Sequence, residues 1–247
     1  MKKLISTLIC VGTIVFASAQ KGISYGATFG IAGNHSTYVG GSSDANALFN
    51  HNDYGKATLG FTARYFFNKH WSVQSGMGIS SIGFEYALAK DYSLLKKDDQ
   101  FTKNNLGISV LQIPLTAIYA FNPNCKNNRL FVGAGFATMS NFNNVNQTSH
   151  ALPSGGDAAS NSLYLDQTIT ANKFTVITGQ VMGGVEKTLK KGSILQFGLI
   201  ANFGFSNIAT SAVSYTVDNK LYTHSFANNG NYCGFMLTYY FKPRGKE

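Results

Sequence analysis

The feature that most constrains this chain is an alternation of apolar and other residues that recurs in eight segments. In the segment 193–208, apolar residues occupy every second position from Leu195 to Phe205, and Gln, Gly and Asn occupy most positions between them. A period of two places the two sets on opposite faces of a β-strand. The eight segments are 22–35, 54–67, one that begins at Trp71, one that ends at Phe121, 130–142, 173–189, 193–208 and 230–242. The chain is therefore predicted to be all-β.

The connections between these segments alternate between two lengths. The short ones are 68–70, 122–129 and 190–192, and the long polar ones are 36–53, 87–103, 143–172 and 209–229. In an antiparallel up-and-down sheet, this order puts every short turn at one end and every long loop at the other. Barrels of the bacterial outer membrane have the same asymmetry, with turns in the periplasm and loops outside the cell.

The two strand faces decide which solvent surrounds the sheet. One face is mostly Gly, Ser, Thr, Asn and Gln, and the other is rich in aromatic and aliphatic residues. The first is too small and polar for a dry core, and in water the second would be a continuous exposed apolar patch. Charged residues make up 13% of the chain, against ~25% in soluble domains. We predict an eight-stranded antiparallel up-and-down transmembrane β-barrel with lipid outside and a polar interior.

Aromatic residues cluster where the strands meet the short turns, as in the girdle that marks the periplasmic interface of such barrels. They are Tyr65, Phe66, Phe67, Trp71, Tyr119, Phe121, Tyr239, Tyr240 and Phe241.

The first residues are typical of a secretory signal. Lys2 and Lys3 precede an apolar run from Leu4 to Phe16, and Ala17-Ser18-Ala19 follows. We predict a signal peptide over 1–19 and one barrel domain over 20–247, with both mature termini in the periplasm. The formal charge of +9 falls to +7 without the two lysines. For an exported chain, this excess is expected to face lipid headgroups or another envelope component and not nucleic acid.

The segment "LQIPLTAIYAF" carries a proline inside a predicted strand. Alternation places Pro114 on the polar face with Gln112 and Thr116, and proline cannot donate a hydrogen bond to a neighbouring strand. The apolar residues also change from even to odd positions at Leu111, and the preceding strand makes a similar change before Ile82. We therefore predict a β-bulge in this hairpin where it leaves the membrane, with rotated faces beyond it.

The stretch "VLQIPLTAIYAF", a short turn and then "RLFVGAGF" resemble the strand pair of the PorT-like outer-membrane β-barrel proteins of Gram-negative bacteria. The residues that carry the resemblance are Gln112, Ile113, Pro114 and Leu115. The terminal "MLTYYF" is similar to an outer-membrane insertion signal. The resemblance implies an outer-membrane location, and one member type takes part in type IX protein secretion.

Catalytic and metal chemistry have weak support. Serine adjoins histidine at Ser149-His150 and at His224-Ser225, but neither pair has an acid at a recognisable spacing to orient the imidazole. A lipid-acting hydrolase is the rival class. Four histidines map to the long-loop end without a ligand spacing such as His-x-His; they are His35, His51, His150 and His224. We predict no catalytic residue, no metal site and no cofactor.

Charged residues near the short turns form two sets. Arg64 and Glu186 face inward at similar depth, so an interior ion pair is predicted, with a gate or relay as the alternative. A basic rim is predicted to contact inner-leaflet phosphates or a periplasmic protein partner. It consists chiefly of Lys69, Lys126, Arg129, Lys190, Lys191 and Lys242.

Two cysteines remain after the signal peptide, Cys125 in a short turn and Cys233 on a lipid-facing position. The strand rise and tilt separate them by roughly 20 Å along the barrel axis, so no disulfide is expected between them. The function predicted from the sequence is non-enzymatic, structural or interactive, through the long extracellular loops. The alternatives are a component of an envelope machine and a lipid-acting hydrolase. The predicted partners are outer-membrane lipid and a periplasmic or extracellular protein.

Overall fold

The computed structural model describes residues 22–41, 49–52, 54–88, 104–121, 128–141, 147–151, 165–189, 192–217 and 220–241. Within these ranges the chain forms fourteen β-strands. They are β1 (Ile23–Asn34), β2 (Thr37–Gly41), β3 (Phe49–Asn52), β4 (Tyr54–Phe66), β5 (Trp71–Leu88), β6 (Asn104–Ala120), β7 (Asn128–Asn141), β8 (Gln147–Ala151), β9 (Leu165–Ala171), β10 (Thr175–Thr188), β11 (Ile194–Gly204), β12 (Ala209–Val217), β13 (Lys220–Asn228) and β14 (Tyr232–Tyr240).

Eight of the strands form a closed antiparallel barrel in the order β5-β4-β1-β14-β11-β10-β7-β6, with β6 pairing back to β5. The first and last strands pair with each other, and Phe29 lies opposite Leu237. Closure leaves no edge strand in the barrel, so every barrel strand has a neighbour on both sides. The predicted eight-stranded up-and-down barrel is confirmed.

The apolar face of the barrel strands points outward, as predicted. Phe61 is 74% exposed and Leu59 68%, values that suit side chains in contact with lipid acyl chains. The inward positions hold small residues because eight curved strands leave little room inside. At Gly60, for example, a Cβ atom would lie 2.5 Å from the carbonyl oxygen of Met77.

The predicted bulge in the β5–β6 hairpin is wrong. The register is constant from Trp71 opposite Tyr119 to Tyr86 opposite Asn104. The ladder is only interrupted beside Pro114, which lacks the backbone N–H that a regular pair needs. The Ser75 hydroxyl donates a hydrogen bond of 2.9 Å to the Pro114 carbonyl oxygen at this interruption.

The change of apolar positions in this hairpin has a different cause. Ile82 and Phe84 follow the inward polar positions of β5, and Ile108 and Val110 precede those of β6, with no change of direction in either strand. All four are fully buried, at 0 to 1% exposure. The faces of the strands do not rotate. Instead, the barrel interior changes from polar to apolar toward the long-loop end.

A second sheet explains why the interior becomes apolar there. Five strands of the long connections form an antiparallel sheet in the order β2-β13-β12-β9-β8, here called the loop sheet, whereas β3 pairs with the end of β5. Its buried Ile169, Val213 and Phe226 share one hydrophobic cluster with Ile82 and Val110 of the barrel. The sequence predicts only polar loops over 143–172 and 209–229, whereas much of these segments forms strands.

The described residues contain no helix long and apolar enough to cross a membrane. Cys233 lies on the outward face of β14 and is free, opposite Gly33 on β1 and Ala201 on β11. Because Cys125 lies outside the described residues, the absence of a disulfide stays a prediction.

A matched pair of substitutions tests the inward direction of Ile82. We expect Ile82→Trp to lower the free energy of unfolding by about 1–3 kcal/mol, because it overpacks a closed interior. Ile79 is 58% exposed on the lipid face, so Ile79→Trp should be tolerated. Urea titration of barrels refolded into phospholipid vesicles measures both. Equal tolerance at the two positions would restore the rotated-face interpretation.

Candidate functional site

Two buried charges meet across the barrel lumen near the short turns. Arg64 on β4 and Glu186 on β10 lie four strands apart in either direction around the barrel. Nη1 of Arg64 lies 2.6 Å from Oε2 of Glu186, and the two side chains are 0% and 1% exposed. The ion pair therefore crosses the lumen and obstructs it.

Arg129 on β7 is a third member of this group, here called the charge cluster. Arg129 lies opposite Glu186 in the strand register, and its Nε contacts Oε1 of that carboxylate. Its Nη1 also donates a 2.9 Å hydrogen bond to the Lys69 carbonyl oxygen. The sequence places Arg129 in the basic rim, but its side chain is only 17% exposed and turns toward the lumen. Alternation with the inward Phe131 is the signal that would have found it.

Side chains around the charge cluster fill the rest of the lumen at this level. Nε of Arg64 donates a 2.8 Å hydrogen bond to the Ser72 hydroxyl, and its guanidinium carbon lies 4.7 Å from the centre of the Phe66 ring. The hydroxyl of buried Tyr240 donates to Oε1 of Gln74 at 2.6 Å. Phe66 and Tyr240 are therefore not part of the outer girdle, because their even positions direct them inward.

The chemistry of the charge cluster favours a structural role. Both oxygens of Glu186 contact guanidinium groups, so neither oxygen is open to another partner. An interior carboxylate that bonds two arginines on different strands links opposite sides of the barrel.

The rest of the predicted rim is only partly described. Lys69 is exposed in the turn between β4 and β5. The other four positions lie outside the described residues, and their proposed contacts with phosphate or protein stay predictions. They are Lys126, Lys190, Lys191 and Lys242.

The motif strand β6 divides its residues between lipid and lumen. Gln112 is buried and Pro114 borders an interior cavity, whereas Leu115 is 59% exposed and Ile113 shares its outward direction. Nε2 of Gln112 donates a 2.8 Å hydrogen bond to the Tyr232 hydroxyl. The motif thus helps to line the middle of the barrel.

A buried asparagine connects the loop sheet to the barrel. Asn228 on β13 donates from Nδ2 to the carbonyl oxygen of Gly83 on β5 at 3.2 Å, and Asn34 on β1 donates to the same oxygen at 3.4 Å. His224 on β13 is buried beneath the sheet, and burial lowers the pKa of its imidazole. His224 and Ser225 are consecutive on a strand and face opposite sides, so they do not form a nucleophile–base pair.

The side chains of Ser149 and His150 on β8 lie outside the described residues, as does that of His51. Among the residues that are described, no three His, Cys, Asp or Glu side chains are grouped closely enough to hold a metal ion.

A family model identifies the chain. The outer membrane protein beta-barrel domain matches residues 16–210, which is well over half of the 247 residues. The chain therefore belongs to this family of outer-membrane β-barrels, and its location is the bacterial outer membrane. A search of curated proteins found no match.

Solved structures similar to this chain are outer-membrane proteins. OprG from Pseudomonas aeruginosa is 14% identical, with 90% of this chain and 97% of that chain covered and a TM-score of 0.48. The N-terminal barrel domain of OprF from the same organism is 12% identical, with 89% and 98% covered and a TM-score of 0.37. The outer membrane protease OmpT from Escherichia coli is 9% identical, with 90% and 98% covered and a TM-score of 0.34.

Removal of the shared carboxylate tests the charge cluster. We expect Glu186→Gln to lower the free energy of unfolding by about 3–5 kcal/mol, because Arg64 is left buried without a counter-charge. Lys187→Gln, at the exposed neighbouring position, should have little effect. The double variant Arg64→Met/Glu186→Gln should recover part of the loss. Urea titration in vesicles gives all three values, and a Glu186→Gln variant as stable as Lys187→Gln would contradict the assignment.

Proposed function

We propose that this barrel is a non-enzymatic outer-membrane protein that acts through its long-loop end, in a structural or binding role. The observation that carries the proposal is the loop sheet. Five strands from three of the long connections pair with one another and pack on a buried apolar cluster. An ordered surface loses less conformational entropy on binding than a set of loose loops.

The exposed side of the loop sheet suits contact with another molecule. Thr170 and Thr223 are exposed and uncharged, and Leu221 is 66% exposed. Val39 on β2 is 61% exposed. The core of a protein–protein interface is depleted of charged residues, and these four side chains carry no charge.

Obstruction of the lumen at both levels supports a binding role over a channel. The charge cluster crosses the barrel near the short turns, and the apolar cluster shared with the loop sheet fills it at the other end. We propose that the loop sheet is extracellular, that the termini are periplasmic and that residues 1–19 are a cleaved signal peptide.

The finer family assignment is also a proposal. The strand with Gln112, Ile113, Pro114 and Leu115 supports a PorT-like protein, and a component of an envelope machine such as type IX secretion is the second candidate. In that case the contact with a partner would be at the short-turn end, around Lys69. The lipid-acting hydrolase has no supporting geometry among the described residues.

Photocrosslinking in living cells tests which end binds a partner. A photoreactive phenylalanine at position 223, on the loop sheet, should form a discrete crosslink to a protein of the cell envelope or of the extracellular medium. The same residue at position 203, where Phe203 is 53% exposed on the lipid face, is the control and should give none. Protein adducts at position 69 alone would instead favour the envelope-machine candidate.

Accessible tags test the orientation. An epitope tag between β8 and β9 should be labelled by antibody on intact cells, because we place that connection outside. A tag at Lys190-Lys191, in the short turn between β10 and β11, should be labelled only after the outer membrane is opened. Labelling of the second tag on unbroken cells would reverse the orientation.

A further inference from the structure

The middle of the barrel, between the charge cluster and the apolar cluster, contains a cavity. It measures about 70 Å³, several times the ~15 Å³ that one water needs. Its lining comes from every barrel strand except β7. We call it the chamber. Gly30, Gly60 and Gly78 form part of its wall, and because they have no side chains they leave the space open.

Most of the chamber surface is apolar, and two buried methionines are part of its lining. Met182 on β10 and Met236 on β14 both line the chamber and are 7% and 4% exposed. Gln112 and Tyr232 also line it, and they already bond to each other. A cavity with an apolar lining binds an apolar group in preference to water molecules.

A buried ammonium group lies beside the chamber. Lys56 on β4 points inward and is 5% exposed, and its Nζ has no hydrogen-bond partner. Nζ lies 3.4 Å from the centre of the Tyr232 ring. Tyr232 lines the chamber, as do Ala32, which is opposite Lys56 in the register, and Thr58, the next inward residue of β4.

The ring contact does not balance this charge. A cation–π contact is weaker than the penalty for removing an ammonium group from water, and charges inside membrane proteins normally pair. Glu186 is the only acidic residue on the described inward positions of the barrel strands, where Lys56, Arg64 and Arg129 are the cations. Glu186 contacts Arg64, which follows Lys56 by eight residues on β4, roughly 26 Å at ~3.3 Å per residue.

We propose that the chamber is a binding site for a small molecule with one anionic group and a short apolar body. The anion pairs with Lys56, and the apolar part lies between Met182 and Met236. A carboxylate suits the site, because it satisfies the ammonium group directly. The chamber volume limits the body to a few carbon atoms.

Methionine methyl NMR on the full mature chain in phospholipid nanodiscs tests the proposal, with butanoate as the probe. Methyl resonances of Met182 and Met236 should shift saturably. Met139 is buried in the apolar cluster and does not line the chamber, so its resonance should not shift with butanoate. Butanamide has the same shape without the charge, so its apparent affinity should be at least tenfold lower.

Variants separate the charge from the cavity. Lys56→Gln should weaken butanoate binding at least tenfold, and Lys56→Arg should keep most of it. Thr58→Phe, which places a ring in the chamber, should abolish the shift while Lys56 remains. An unchanged resonance of Met139, in the apolar cluster at the loop sheet, shows that each variant is folded.

Three results would overturn the proposal: no saturable shift at Met182 and Met236, equal affinity for butanoate and butanamide, or binding by Lys56→Gln equal to that of the unchanged chain. The comparison of the two probes uses the unchanged chain, so it decides the matter even if a variant does not fold. The outcome is independent of what the loop sheet binds.

Discussion

The whole structure depends on the need to pair backbone hydrogen-bonding groups inside a lipid bilayer. Unpaired N–H and C=O groups are too costly in hydrocarbon, so a spanning sheet must close on itself. Here the pairing of β1 with β14 completes the ring. Closure is so strongly favoured that the ladder keeps a constant register past Pro114, and a serine hydroxyl bonds to the carbonyl group at the interruption.

Closure also limits the size of the side chains that fit in the interior. The chemical character of these side chains changes along the barrel axis. Near the short turns, Arg64, Arg129 and Glu186 cross the lumen. The chamber with Lys56 at its side lies in the middle, and an apolar cluster lies at the long-loop end. The apolar cluster exists because the loop sheet keeps water away from Ile82 and Phe84. The same packing makes the long connections an ordered surface, on which the proposed binding role depends.

The sequence predicted part of the interior and missed the rest for identifiable reasons. Arg64 and Glu186 were singled out because alternation gives their direction and their distance from the girdle gives their depth. Arg129 lies at the start of its strand, where proximity to a turn made a rim position look equally suitable. Lys56 was overlooked because its importance depends on the absence of a neighbouring carboxylate, which only the assembled lumen reveals.

The sequence by itself determined the eight strands, their antiparallel order and the lipid-facing side, because a period of two and alternating connection lengths are local properties of the chain. It did not determine the environment of each residue near the long-loop end. Ile82 and Ile79 are the same residue type three positions apart, yet Ile82 is fully buried and Ile79 is 58% exposed. Only the tertiary structure decided this, since burial at that end comes from strands of the loop sheet more than eighty residues further along the chain.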